Sequence, residues 1–173
     1  KDFSIAAVTT RDIDRGDFPH YLLKEIGESP NSLQKTLRGR IIQKGDRLEV
    51  TLPESSLPKS AVAALQAGTT RRILVIGQGT AAVAGQAIAG AIADAVSESG
   101  IFVQATPATE LSGFGLGDEM DDTLIVAISQ SGTTTDTNRT VDLARNRGAT
   151  AVAIANRRGS DLPAQVAGGS HTS

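Results

Sequence analysis

The chain has 173 residues, a net charge of −2, no cysteine, no tryptophan and a single tyrosine. That balance offers no electrostatic case for nucleic acid or an anionic membrane as partner, and the missing cysteine excludes disulfides, thiolate metal sites and a cysteine nucleophile within this segment. Apolar residues reach 39% but aromatics only 3%, so the core is expected to be built from Ala, Val, Leu and Ile.

Residues 1–57 are mixed in character. Ser4–Thr9 reads as a short strand and Arg11–Asp17 as a charged turn region. Pro19–Gly27 has helical spacing, with Tyr21, Leu22 and Ile26 on one side, while Lys24 and Glu25 read as a solvated face. Pro30 opens a second helical stretch with Leu33, Leu37 and Ile41 at four-residue spacing. Asp46–Leu52 reads as a strand, and Pro53 to Pro58 is a break. The chain is therefore divided into an N-terminal linker and helical segment, 1–57, and a compact domain, 58–173.

From residue 58 the pattern is regular. Ser60–Ala67 reads as a helix, Arg72–Gly77 as a buried strand, and Thr80–Ser99 as a long Ala-rich helix. Ile101–Ala105 follows as a second strand, Pro107–Ser112 as a short helix or turn, and Leu124–Ile128 as a third strand. Thr134–Arg147 reads as a helix, Ala149–Ala155 as a fourth strand and Ser160–Val166 as a final helix. This alternation predicts an α/β fold: a three-layer α/β/α sandwich around a parallel, flavodoxin-like sheet joined by right-handed crossovers.

The most informative stretch is Ser129-Gln130-Ser131-Gly132, followed by Thr133 and Thr134. A buried strand, a polar turn and a helix start make an anion site, because free N–H groups and the positive end of the helix dipole share one space. The hydroxyls of Ser129, Ser131, Thr133 and Thr134 add donors, and no basic side chain stands in the turn. That suits a sugar phosphate better than a nucleoside triphosphate, whose loop needs a Lys; the plainer reading is a cluster of helix caps. The first strand ends in Gly77-Gln78-Gly79-Thr80-Ala81. With strand order 2-1-3-4 the two turns would face each other at the topological switch point, where ligands bind. A dinucleotide fingerprint fits Gly77-x-Gly79-x-x-Ala82 formally, but no acid stands at the tip of the second strand, Gln104-Ala105-Thr106. Two histidines in no metal-type spacing argue against a metal site. No apolar run approaches the ~20 residues of a membrane span and no signal peptide is visible, so a cytoplasmic protein is expected.

These residues resemble the sugar isomerase (SIS) domain, and more narrowly the isomerase half of the glutamine–fructose-6-phosphate aminotransferase (glucosamine-6-phosphate synthase) family. The family's first turn is Cys-Gly-Thr-Ser, where this chain has Gln78-Gly79-Thr80-Ala81. Its second is Ser-Gln-Ser-Gly-Glu-Thr-x-Asp-Thr, where this chain runs Ser129 to Thr137 and departs at Thr133. Thr109-Glu110, Asn156, and Asp17 to Ile26 with Pro30 continue the likeness. The resemblance implies a phosphosugar (fructose-6-phosphate or glucosamine-6-phosphate) held by Gly79, Thr80, Ser129, Gln130, Ser131 and Thr134. It implies no cofactor, no metal, and a homodimer formed through SIS domains. The family's cysteine nucleophile is absent, and its catalytic Glu, Lys and His are expected beyond Ser173. The chain is expected to be a first lobe truncated at its C-terminus, with no catalytic residue of its own. The runner-up is a non-catalytic phosphosugar-sensing module.

Overall fold

The computed structural model describes residues 14–156, 161–162 and 166–171, and the chain divides into two compact units, 1–50 and 51–173. The expected strand Ser4–Thr9 and the start of the turn at Arg11 lie outside the described residues.

The first unit holds one helix and one hairpin. Helix α1 spans Tyr21–Leu37 with Pro30 inside it, so the two helical stretches expected on either side of Pro30 are one. A proline removes a single N–H and crowds one carbonyl; here the helix continues across it. Ser29 donates its hydroxyl to the Glu25 carbonyl at 2.8 Å, and Thr36 to that of Ser32 at 3.0 Å. Arg38 then leaves helical conformation, so Ile41, expected on the helix stripe, opens strand β1 (Ile41–Lys44) instead. β1 pairs antiparallel with β2 (Arg47–Val50), Ile41 opposite Val50, and this β2 lies within the strand expected over Asp46–Leu52. Lys24 is a second correction. It is not solvated but 8% exposed, with its ammonium 3.6 Å from Glu28 one turn on, a spacing at which opposite charges meet. The large apolar side chains of α1, Tyr21, Leu22, Leu23, Ile26, Leu33 and Leu37, are all exposed.

The second unit is doubly wound. After a short turn of 3-10 helix at Glu54–Ser56 come α2 (Lys59–Gln66) and β3 (Arg72–Gly77). Then follow α3 (Thr80–Ala95), β4 (Phe102–Pro107) and β5 (Thr123–Ser129). Helix α4 (Thr135–Arg145), β6 (Thr150–Ala155) and β7 (Gly168–His171) complete it. The five strands are parallel in the order β4-β3-β5-β6-β7, which is the expected order with one further strand added. Helix α3 stops at Ala95 rather than Ser99, in a polar stretch where the Ser99 hydroxyl donates to the Val96 carbonyl at 2.6 Å. The short segment after β4 is a helical turn, Ala108–Glu110, running into a wider π-type turn, Leu111–Gly115. Of the expected final helix, Asp161 and Leu162 are helical; Ser160 and residues 163–165 lie outside the described residues.

Alternation along the strands divides the core into two. Leu74, Ile76, Ile125 and Ala127 face α4 and the Ala108–Leu111 turn, with Val141, Ala144 and Met120. Ile73, Val75, Leu124 and Val126 face α2 and α3, with Ala61 and Ala89. All seven residues of β5 are buried, as a central parallel strand covered on both faces requires. Full burial of side chains such as Ile76 and Ile125 stabilises by roughly 1.5–3 kcal/mol each. Among the described residues no helix is long and apolar enough to cross a membrane.

Candidate functional site

Neighbouring strands β3 and β5 end side by side, Ile76 level with Ala127, and each feeds a polar turn that starts a helix. Their helices cover opposite faces of the sheet, so the crevice between the two turns is the switch point of the fold.

The first turn is shaped by two glycines. A β-carbon on Gly77 would lie 2.8 Å from the Ala81 carbonyl carbon, so only glycine lets β3 pass beneath the first turn of α3. Gly79 takes φ 58° and ψ −128° and is the N-cap of α3, a backbone conformation that a β-carbon makes costly. No side chain caps α3; Thr80 is its first residue, exposed, and its hydroxyl does not close the helix end.

The second turn is held by its own hydroxyls. Ser129, 3% exposed, accepts from the Gly132 N–H at 3.0 Å and lies 3.3 Å from the Thr134 hydroxyl. Ser131 Oγ accepts from the Thr133 N–H at 3.2 Å and from the Thr133 hydroxyl at 3.1 Å. The Gly132 carbonyl receives the Leu162 N–H at 2.9 Å and the Asn138 amide at 3.4 Å. Thr134 is the N-cap of α4, yet its side chain makes no capping bond. The plainer reading, a cluster of caps, therefore does not account for Thr80 or Thr134: neither hydroxyl makes a capping bond. Asp136 sits in the first turn of α4, where an acid complements the dipole. Deeper in the same helix, Thr140 shares its proton between the carbonyls of Ala108 at 2.9 Å and Asp136 at 2.7 Å, fixing α4 against the turn that follows β4.

Between the turns lies a cavity of about 170 Å³. Of the residues expected at the site, Thr80, Ser129, Gln130, Ser131 and Thr134 form its wall; Gly79 does not, and acts through its backbone conformation. Gln78, Ala81 and Ile128 complete the wall. No acid, base or cation is among these lining residues, so the wall offers hydroxyls, amides and the N-terminal ends of α3 and α4. An anion held this way is met by dipoles and N–H groups rather than by a side-chain charge. No cluster of His, Asp or Glu that could hold a metal ion occurs among the described residues.

Two other candidates fall elsewhere. Glu110 is exposed and lines a separate cavity of about 280 Å³ with Arg72, Phe102 and Phe114. Arg72 is committed to Asp122 at 3.0 Å, at the end of the sheet opposite the two turns. The hydrogen bond from Thr123, together with the Arg72 guanidinium, holds the Asp122 carboxyl below its usual value of 3.8. His20 is the N-cap residue of α1, without a side-chain cap bond, and Asn156 is exposed beyond β6.

A model of the SIS domain matches residues 69–167. Among curated relatives, the "glutamine–fructose-6-phosphate aminotransferase [isomerizing] 1" of Arabidopsis thaliana is 35% identical over 171 residues, 97% of this chain and 24% of that protein. The enzyme of the same name, without the numeral, from Symbiobacterium thermophilum is 38% identical over 150 residues, 86% of this chain and 23% of that protein. The chain thus spans about a quarter of the length of these relatives. Among solved structures, the C-terminal domain of glucosamine-fructose-6-phosphate aminotransferase from Francisella tularensis aligns with a TM-score of 0.69 at 22% identity. It covers 92% of this chain and 41% of that one. The glucosamine-6-phosphate deaminase of Thermotoga maritima aligns with a TM-score of 0.61 at 20% identity, covering 87% of this chain and 39% of that one. Both structural likenesses carry the fold.

Proposed function

The chain belongs to the SIS domain family, and on that premise we propose that it is the phosphosugar-binding lobe of an isomerizing glutamine–fructose-6-phosphate aminotransferase. One observation carries the reading: two turns from neighbouring strands converge on a single cavity whose wall holds the hydroxyls of Thr80, Ser129, Ser131 and Thr134. The ligand's phosphate lies against the Ser129–Thr134 turn at the start of α4, and its carbohydrate part extends toward Gly79–Ala81. The relatives named above supply the substrate class, fructose-6-phosphate.

The lobe binds and does not transfer protons. Its cavity wall has no carboxylate, imidazole or amine, and general acid–base catalysis needs such a group within hydrogen-bond reach of the reacting proton. Ring opening, nitrogen transfer and the shift of a proton between neighbouring sugar carbons therefore fall to groups outside this wall. The same reading makes the protein a cytoplasmic homodimer joined through SIS domains. Phe102, the first residue of the outer strand β4, and Phe114, in the turn that follows it, are both exposed and supply apolar surface for such a contact.

The test is a titration of the chain with fructose-6-phosphate, followed by amide chemical shifts. Both turns, Gly79–Ala81 and Ser129–Thr134, respond together if the reading is right. Shifts confined to one turn, or none at millimolar ligand, overturn it.

A further inference from the structure

Gln78 stands between the last residue of β3 and the left-handed Gly79, and it forms part of the cavity wall beside Thr80, Ala81 and Ser131. Its Oε1 is buried and meets no donor among the described residues. A buried acceptor without a partner is rare in folded proteins and costs free energy for as long as it lasts. The hydrogen-bond donors of the second turn do not relieve it: the Gly132 N–H goes to Ser129 Oγ, and both donors of Thr133 go to Ser131 Oγ. The carboxamide therefore breaks no oxygen bond when it rotates, and gains one when a donor arrives.

The chemistry of the arriving donor follows from what the cavity already provides. Its hydroxyls and helix ends are donors, matched to phosphate oxygens. The dianionic phosphate group of a monoester has no proton to give, so it cannot satisfy Oε1. The hydroxyl groups of a carbohydrate can. Gln130 also carries an acceptor in the wall, but it is exposed and exchanges one water for one ligand hydroxyl with little net gain. Gln78 Oε1 starts from a buried position without a donor and has a bond to gain.

We infer that Gln78 is a specificity determinant of this cavity: its carboxamide turns to accept a hydrogen bond from a hydroxyl of the ligand's carbohydrate part, so the site separates a polyhydroxylated phosphate ester from phosphate alone. The inference rests on the phosphosugar reading above and adds the residue that recognises the sugar. It assigns a role to a position at which the chain departs from the Cys-Gly-Thr-Ser turn, and where Ala81 has lost a hydroxyl.

The experiment compares the unmodified chain with Gln78→Met, a side chain of similar length without the acceptor, using fructose-6-phosphate and methyl phosphate as probes at a pH where both are dianions. The substitution should weaken fructose-6-phosphate about two- to tenfold, the range for one neutral hydrogen bond, and leave methyl phosphate within about twofold. In the unmodified chain, the Gln78 side-chain amide resonances should move with fructose-6-phosphate and stay in place with methyl phosphate, a readout independent of how the variant folds. Equal losses for both probes, no loss for either, or side-chain shifts induced by methyl phosphate overturn the role of Gln78 while the anion site stands. If the unmodified chain binds neither probe at the two turns, the phosphosugar reading falls and this inference with it.

Discussion

The turns that close the cavity reach the same place by opposite means. Gly77–Ala81 is shaped by absence: two glycines, an alanine where a hydroxyl would serve, and a carboxamide oxygen that meets no donor among the described residues. Ser129–Thr134 is shaped by presence, with hydroxyls that accept from its own N–H groups and a glycine carbonyl that takes two further donors. A turn whose polar groups are mutually bonded keeps its donors fixed before ligand arrives, which is what affinity for an anion requires. A turn with an unanchored side chain adapts, which is where discrimination among sugars is built.

Four experiments break or sharpen that contrast. The largest effect is expected from Gly77→Ala, whose β-carbon lies against the backbone of Ala81 and Ala82. Forced overpacking of this kind costs typically about 1–3 kcal/mol, and it should both lower the urea midpoint and abolish phosphosugar binding. Gly90→Ala, on the exposed side of α3 with nothing within 4 Å of the new atom, should raise stability by up to about 1 kcal/mol. If the two variants melt alike, the close approach of β3 to α3 is not what shapes the first turn.

Ser131→Ala comes next. It removes a hydroxyl from the wall and the acceptor that holds Thr133, and should weaken phosphate-ester binding by about 1.5–3 kcal/mol, the range for a hydrogen bond to a charged group. Calorimetry that finds Ser131→Ala unchanged would place the anion elsewhere. Ala81→Ser should act in the other direction, tightening binding by about 0.5–1.5 kcal/mol as a donor returns to the poorer turn. An unchanged affinity there would mean that position 81 does not reach the ligand.

The smallest effect on binding is expected from Asp122→Asn, at the far end of the sheet. Because the Asp122 carboxyl is held below 3.8 in the folded chain by Thr123 and Arg72, its contribution to stability is complete above that value and is lost as pH falls through the lowered one. Acid titration monitored by circular dichroism should therefore show a shallower loss of stability below about pH 4 in the variant, with phosphosugar affinity at neutral pH unaltered.

Strands β3, β5 and β6 were legible in the sequence because each carries an unbroken apolar run closed by glycine or a polar turn, and because two polar turns on the first and third strands imply the switch point between them. Pro30 misled because propensity treats proline as a stop, whereas a helix loses one bond to it and goes on. β7 left no signal: Gly168, Gly169 and Ser170 show neither an apolar run nor alternation, and they become a strand through pairing with β6. At the site, hydroxyl chemistry singled out Thr80, Ser129, Ser131 and Thr134, but Ile128 reads as core. The orphaned oxygen of Gln78 is a matter of atomic surroundings, which residue type alone does not encode.

Tyr21 brings a consequence for anyone who works with this protein in solution. It is the single tyrosine, it sits 54% exposed on α1, and the chain has no tryptophan. Tyrosine emission therefore arises entirely from the first unit, while the α/β unit that carries the cavity has neither tyrosine nor tryptophan. A melting curve followed by tyrosine fluorescence reports on α1, and a ligand that stabilises the cavity can leave it flat. Far-ultraviolet dichroism, calorimetry or amide resonances are the signals that see the unit where the ligand is expected to bind.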